Sequence, residues 1–178
     1  MGRVAATPRP GIAPLDQLSF DIGRAYHNYK LLLERTLRKF GLDRHVRAGM
    51  GHILFALFEN DDCNIKEIVA RTQLSFPTIT VLLGQMEKTG LIERRRDRQD
   101  GRAVRVRLTP LTRSLEPKCH QVVRRLNDVI QQGMSRAEVR RLRDLIARMI
   151  RSMREDEASD DRAPRPGRLR ERTAPSSV

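Results

Sequence analysis

The chain has no tryptophan, two tyrosines and five phenylalanines in 178 residues, so aromatics make up only 4% of it. That scarcity argues against a surface that holds single-stranded nucleic acid by stacking bases on rings. The two cysteines, Cys63 and Cys119, are too few for a disulfide scaffold and lack metal-ligand spacing, so free thiols in a reducing compartment are expected. No apolar run approaches the roughly 18 residues of a membrane span, and the first residues lack the apolar stretch of a secretion signal. The expectation is a cytoplasmic protein with no membrane partner. The histidines His27, His45, His52 and His120 are scattered, which implies no metal. There is no Gly-rich phosphate loop, nucleophile elbow or His/Glu metal motif, so the chain reads neither as an enzyme nor as the carrier of a cofactor.

What the chain has is positive charge, formally +13 at neutral pH. Clustered cations on a folded surface attract polyanions at long range, and nucleic acid is the first candidate. Residues 1–14 are rich in Pro, Ala and Gly, and residues 154–178 mix acids, prolines and arginines with almost no large apolar side chains. Both ends are expected to be disordered. The C-terminal stretch is formally neutral, so the surplus lies in the folded part.

Between the ends the apolar period is helical. Ile22, Tyr26, Tyr29, Leu33, Leu37 and Phe40 predict one long helix with a buried stripe from about Asp16 to Phe40. Met50, Ile53, Leu54, Leu57 and Phe58 predict a second over about Arg47 to Asn60. Asn64 and Glu67 form a capping box for a short third helix, with Ile65, Ile68 and Val69 facing inward. After the tight "TQLS" connection, Ser75 caps a fourth helix with Pro77 in its first turn, where a missing N–H costs nothing. Ile79, Leu82, Leu83 and Met86 fix its buried face. Pro77, Val81, Gly84 and Lys88 lie opposite, flanked by Thr78, Thr80 and Gln85, and Gly90 ends the helix.

Two strands follow, "LIERR" leading out and "AVRVRL" returning with Val104, Val106 and Leu108 on one side and Ala103, Arg105 and Arg107 on the other. Asp100-Gly101 marks the hairpin turn. Leu111 to Ile130 predict a fifth helix, kinked or begun late at Pro117, and stopped by Gly133. Ser135 and Glu138 cap a sixth that carries Leu142, Leu145, Ile146, Met149, Ile150 and Met153.

Two short helices joined by a tight turn and followed by a basic hairpin resemble the winged helix-turn-helix of the MarR (multiple antibiotic resistance regulator) family. The resemblance spans roughly Phe20 to Met153. It rests on "LSFPTITVLLGQMEKTGLIERR", on "DRQDGRAVRVRLT", and on the order of six helices with long ones at both ends. The chain departs from the family pattern at Thr112, where a Gly is usual, and at Phe76 and Val81, where basic or amide residues are common. The implied fold class is mainly α with a small β-hairpin, a winged helix-turn-helix domain with N- and C-terminal dimerisation helices. The division is 1–14 as a tail, 15–46 as first helix and dimerisation element, 47–109 as DNA-binding domain, 110–153 as C-terminal dimerisation helices, and 154–178 as a second tail.

The resemblance implies a homodimeric regulator, most simply a repressor, bound to a near-palindromic site in double-stranded DNA. Ser75, Phe76, Pro77, Thr78, Thr80, Val81, Gln85 and Lys88 would face the major groove. Phe76, Thr80 and Val81 favour thymine methyls over guanine, hence an A·T-leaning half-site. Arg102 would enter the minor groove, aimed by Asp100, while Arg94, Arg95, Arg96, Arg98, Arg105 and Arg107 would contact phosphates. A small aromatic ligand would sit among Tyr26, Tyr29, Arg47 and His52. Cys63, near the cap of the third helix, would qualify as a redox sensor if its pKa were lowered. The alternative reading is an architectural binder indifferent to sequence, which would share the charge.

Overall fold

Among the residues that the computed structural model describes, 17–97 and 104–160, the elements run α1 (Leu18–Lys39), α2 (Met50–Glu59), β1 (Cys63–Asn64), α3 (Ile65–Thr72), α4 (Phe76–Lys88), β2 (Ile92–Arg96), β3 (Val104–Leu108), α5 (Pro110–Ile130) and α6 (Arg136–Asp160). They fall into two units, one ending at Ile130 and the other beginning at Gln131.

In the first unit, local chemistry sets where the helices start. The Asn64 side chain accepts from Glu67 N at 2.9 Å while the Glu67 carboxylate accepts from Asn64 N at 2.8 Å, so two otherwise orphan donors at the start of α3 are satisfied. Ser75 caps α4, and Gly90, at φ +70°, lets the chain turn out of it. Ile68, Ile79, Leu83 and Met86 then meet Ile53, Leu54 and Leu57 of α2, Leu91 just before β2, and Ile92 and Val106 of the sheet in one core. Each such burial is worth about 1.5–3 kcal/mol. Together they fix the rotation of α4 about its axis, and so decide which of its residues face out.

The sheet has three antiparallel strands in the order β1-β3-β2, one more than the hairpin expected. Cys63 pairs with Val106 and Asn64 with Arg105. A strand of two residues is too short to carry an alternation, which is why periodicity missed it. Helix α2 starts at Met50, not near Arg47, because Gly49 sits at φ +90°, outside helical space. Helix α5 starts at Pro110 and runs through Pro117 without being delayed by it.

The N-terminal stripe is not buried as expected. Of α1 only Thr36 and Leu37 are buried, while Leu18, Phe20, Tyr26, Tyr29 and Leu31 are exposed. An amphipathic pattern records an apolar face and not what covers it.

The second unit opens with the Ser135–Glu138 capping box, in which Glu138 Oε2 accepts from Ser135 N at 2.8 Å and Ser135 Oγ from Glu138 N at 3.3 Å. Its helix passes the expected boundary at 154 and continues to Asp160. Arg154, Glu155 and Glu157 are good helix formers, so a polar stretch can extend a helix already nucleated by its apolar residues.

Candidate nucleic-acid interface

Helices α3 and α4 form the expected pair. Their joint depends on Gln73 at φ +56°, a left-handed position that closes α3, with only Leu74 between it and Ser75, the cap residue of α4. Ser75 Oγ accepts from Thr78 N at 3.5 Å and lies 2.8 Å from the Thr78 hydroxyl. The Thr80 hydroxyl donates to Phe76 O at 2.9 Å, within its own helix, so the hydroxyl is already engaged by its own backbone. Ser75, Phe76, Pro77, Thr78, Thr80, Val81, Gln85 and Lys88 are all exposed. Phe76 at 55% and Val81 at 60% exposure pack on nothing that would make them core, so α4 presents a largely uncharged, partly apolar edge.

Gly84 departs from the expectation that it lies open on that face. It is half-buried beneath Arg94 of β2, whose Nε stands 3.1 Å from Glu87 Oε2. The Nε is buried and its N–H is not aligned on the carboxylate, so this is an ion pair without a hydrogen bond.

Of the arginines expected to contact phosphate, several have acids of their own. Arg95 pairs with Glu93 at 2.7 Å in the open. Arg105 is half-buried, lies 3.1 Å from Asp97 and 3.1 Å from Asp62, and also donates to the Asp62 carbonyl. The hydrogen bonds it donates to Asp97 and then to Asp62 push its pKa above the ordinary arginine value. Arg96 and Arg107 are exposed. Arg98, Asp100 and Arg102 lie outside the described residues.

Sequence reasoning missed Asp61 and Asp62. They form the corner between α2 and β1. Asp61 accepts from Leu108 N at 2.8 Å and pairs with Arg113, tying the end of β3 and the start of α5 to that corner. No local signal could have found them, because their partners lie more than forty residues away.

Thr112, the departure from the family's usual glycine, is buried and its hydroxyl donates to Leu91 O at 2.5 Å. Thr109 donates to Gly90 O at 2.7 Å beside it. The side chain that replaces glycine thus joins the sheet's exit to the end of α4.

Tyr26, Tyr29, Arg47 and His52 line one cavity of about 600 Å³, together with Phe55 and Cys119. Both cysteines are buried and free. Burial pushes the Cys119 thiol up, with Glu116 adding to it. The Cys63 thiol, which donates to Asn60 O at 2.9 Å, is also raised by burial in spite of nearby Arg71. That corrects the idea of a lowered Cys63 pKa: its place beside the α3 cap is dry, and dryness outweighs the cation. Among the described residues no three His, Cys, Asp or Glu side chains come together as a metal site, and no helix is long and apolar enough to cross a membrane.

A model of the MarR family matches residues 49–104, the segment from the start of α2 to the returning strand. The transcriptional repressor IacR of Pseudomonas putida is 28% identical over 125 residues, covering 70% of this chain and 72% of that protein. A probable transcriptional regulator from Pseudomonas aeruginosa has a similar structure, with a TM-score of 0.66 and 27% identity over 75% of this chain and 97% of that one. The PcaV transcriptional regulator from Streptomyces coelicolor, solved in complex with its natural ligand, shares the fold at a TM-score of 0.71 and 20% identity, covering 82% of this chain and 99% of that one. With the helix pair and basic strands described above, these likenesses give the chain the fold of the MarR transcriptional regulators and, over residues 49–104, a segment similar to theirs.

Proposed function

We propose that the protein is a homodimeric repressor that binds a near-palindromic operator, with α4 in the major groove and the wing, residues 93–107, in the minor groove. The observation that carries the reading is the outer edge of α4. Its exposed Phe76, Thr80 and Val81 offer methyl and ring surface in place of the guanidinium that commonly selects guanine. The half-site is accordingly A·T-leaning, and Arg96, Arg98 and Arg107 add phosphate attraction around an Arg102 in the minor groove.

Release of DNA is assigned to a small aromatic ligand with an acidic group in the cavity of Tyr26, Tyr29, Arg47 and His52. The two rings supply apolar contact and Arg47 a partner for a carboxylate. PcaV, solved with its natural ligand, supports a ligand-responsive member of this fold.

The test is selection. The full chain is incubated with randomised DNA duplexes at physiological salt, and the bound fraction is recovered and sequenced. Enrichment of an A·T-rich near-palindrome is the expected result. Sites dominated by invariant guanines under α4 would overturn the half-site, and retention without any motif would favour an architectural binder.

A further inference from the structure

Arg105 occupies an unusual position for a wing arginine. It is the second residue of the central strand, paired with Asn64 of β1 on one side and with Arg95 of β2 on the other. Two arginines directly opposite each other repel, and the sheet tolerates the pair because each has its own acid, Glu93 for Arg95 and Asp97 with Asp62 for Arg105. Asp62 is itself held at φ +58°, a backbone conformation that non-glycine residues rarely adopt. Both its carboxylate and its carbonyl accept from Arg105 in that conformation. A strained residue retained at such a junction points to a geometric task.

We propose that Arg105 is a positioning residue for DNA binding and makes no phosphate contact: by bridging Asp97, just past the end of β2, and Asp62 at the α2–β1 corner, it sets the angle of the wing against the helix pair. The planar guanidinium suits this because its fork of donors reaches the two carboxylates and the carbonyl at once. The neighbouring contacts of Asp61 with Leu108 N and Arg113 hold the same corner from the other end of β3, so the wing is anchored where it meets the core. This inference rests on the DNA-binding reading above for its consequence, but its structural half can be tested without DNA.

The test uses the full chain and the variants Arg105→Met, Arg105→Lys and Asp62→Asn, the last chosen because Asn tolerates the left-handed backbone at that site. Amide hydrogen exchange is first measured on the free proteins. Arg105→Met and Asp62→Asn are expected to speed exchange in residues 92–96 and 104–108 about tenfold, the scale of one lost charged hydrogen bond, and to leave α2 and α4 unchanged. Affinity is then measured across a salt series, for a duplex recovered from the selection and for an unselected duplex.

The sign of the Asp62→Asn effect separates the possibilities. If Arg105 touched phosphate, removing the nearby acid would tighten binding, and Arg105→Met would reduce the slope of log K against log salt by about 0.9. Positioning predicts that both variants weaken the selected duplex several-fold with the slope unchanged, and that Arg105→Lys, which keeps the charge but not the fork, falls between. Unchanged exchange, a tighter Asp62→Asn, or a reduced slope for Arg105→Met each overturns the proposal. A wild-type chain that enriches no duplex defeats the operator reading instead. Exchange, together with the slope on unselected DNA, then still decides what Arg105 does.

Discussion

The Arg94 guanidinium lies over Gly84, with Nη2 3.8 Å from the point where a Cβ on that glycine would stand. Strand β2 is thereby laid against the outer side of α4, and the Arg94–Glu87 ion pair adds a second tie between the same two elements. A methyl group at position 84 meets Arg94 at ordinary contact distance and has no steric reason to displace it. Gly84→Ala is therefore expected to stabilise the fold by about 0.5–1 kcal/mol, the helix-interior difference between the two residues. Urea denaturation reads this directly. A loss of stability would mean that α4 and β2 approach more closely than 3.8 Å implies.

Thr112 gives a prediction of opposite sign. Its hydroxyl is buried and bonded to Leu91 O, an oxygen that also accepts from Thr109 N at 3.2 Å. Thr112→Val keeps the shape and removes the donor, while Leu91 O retains one partner. The expected cost is about 1 kcal/mol, the net worth of one intramolecular hydrogen bond, with the urea m-value unchanged. An unchanged midpoint would show that the hydroxyl serves only to fill space.

These two sites mark what the sequence could and could not convey. The caps at Asn64, Ser75 and Ser135, the buried face of α4 and the alternation of β3 were legible because each is a local arrangement within a few residues. The cover over Gly84, the third strand and the engagement of Arg105 were not. Each is a contact between distant segments, such as the 43 residues between Asp62 and Arg105, and no periodicity encodes a partner. The extension of α6 to Asp160 was missed for another reason: composition reports the absence of an apolar face, and a helix end does not need one.

Glu138 should give α6 a pH-sensitive start. Its carboxylate is held below the usual glutamate range, first by the Ser135 backbone N–H and then by the Ser135 side chain. A depressed carboxyl pKa contributes stability above the unfolded value of about 4.3, and that contribution is lost as pH falls through the lower folded value. The amides of Ser135 and Glu138 should therefore exchange faster below about pH 4 than the middle of the helix does. Glu138→Gln should abolish the pH dependence, since its side chain accepts at every pH. Persistence of the same dependence in that variant would assign it to another group.

Helix α6 carries the last expectation. Leu142, Leu145, Ile146, Ile150 and Met153 recur at helical spacing and all are exposed. On a helix that stays solvated, replacing two of them by charges is close to neutral, within about 0.5 kcal/mol, and would if anything improve solubility. On a helix that meets a second copy, the same charges are placed where apolar surface should be removed from water, and the assembly separates. Leu145→Glu with Ile146→Glu is therefore expected to halve the mass measured by sedimentation, and separate removal of residues 135–178 to leave the mass of a single truncated chain. Both should also lower affinity for a two-half-site duplex far more than for a single half-site, because a monomer has lost the second recognition helix and not the first. A variant that keeps the wild-type mass would place the subunit contact elsewhere, and α1, with Leu18, Phe20 and Leu31 exposed, is the next face to charge.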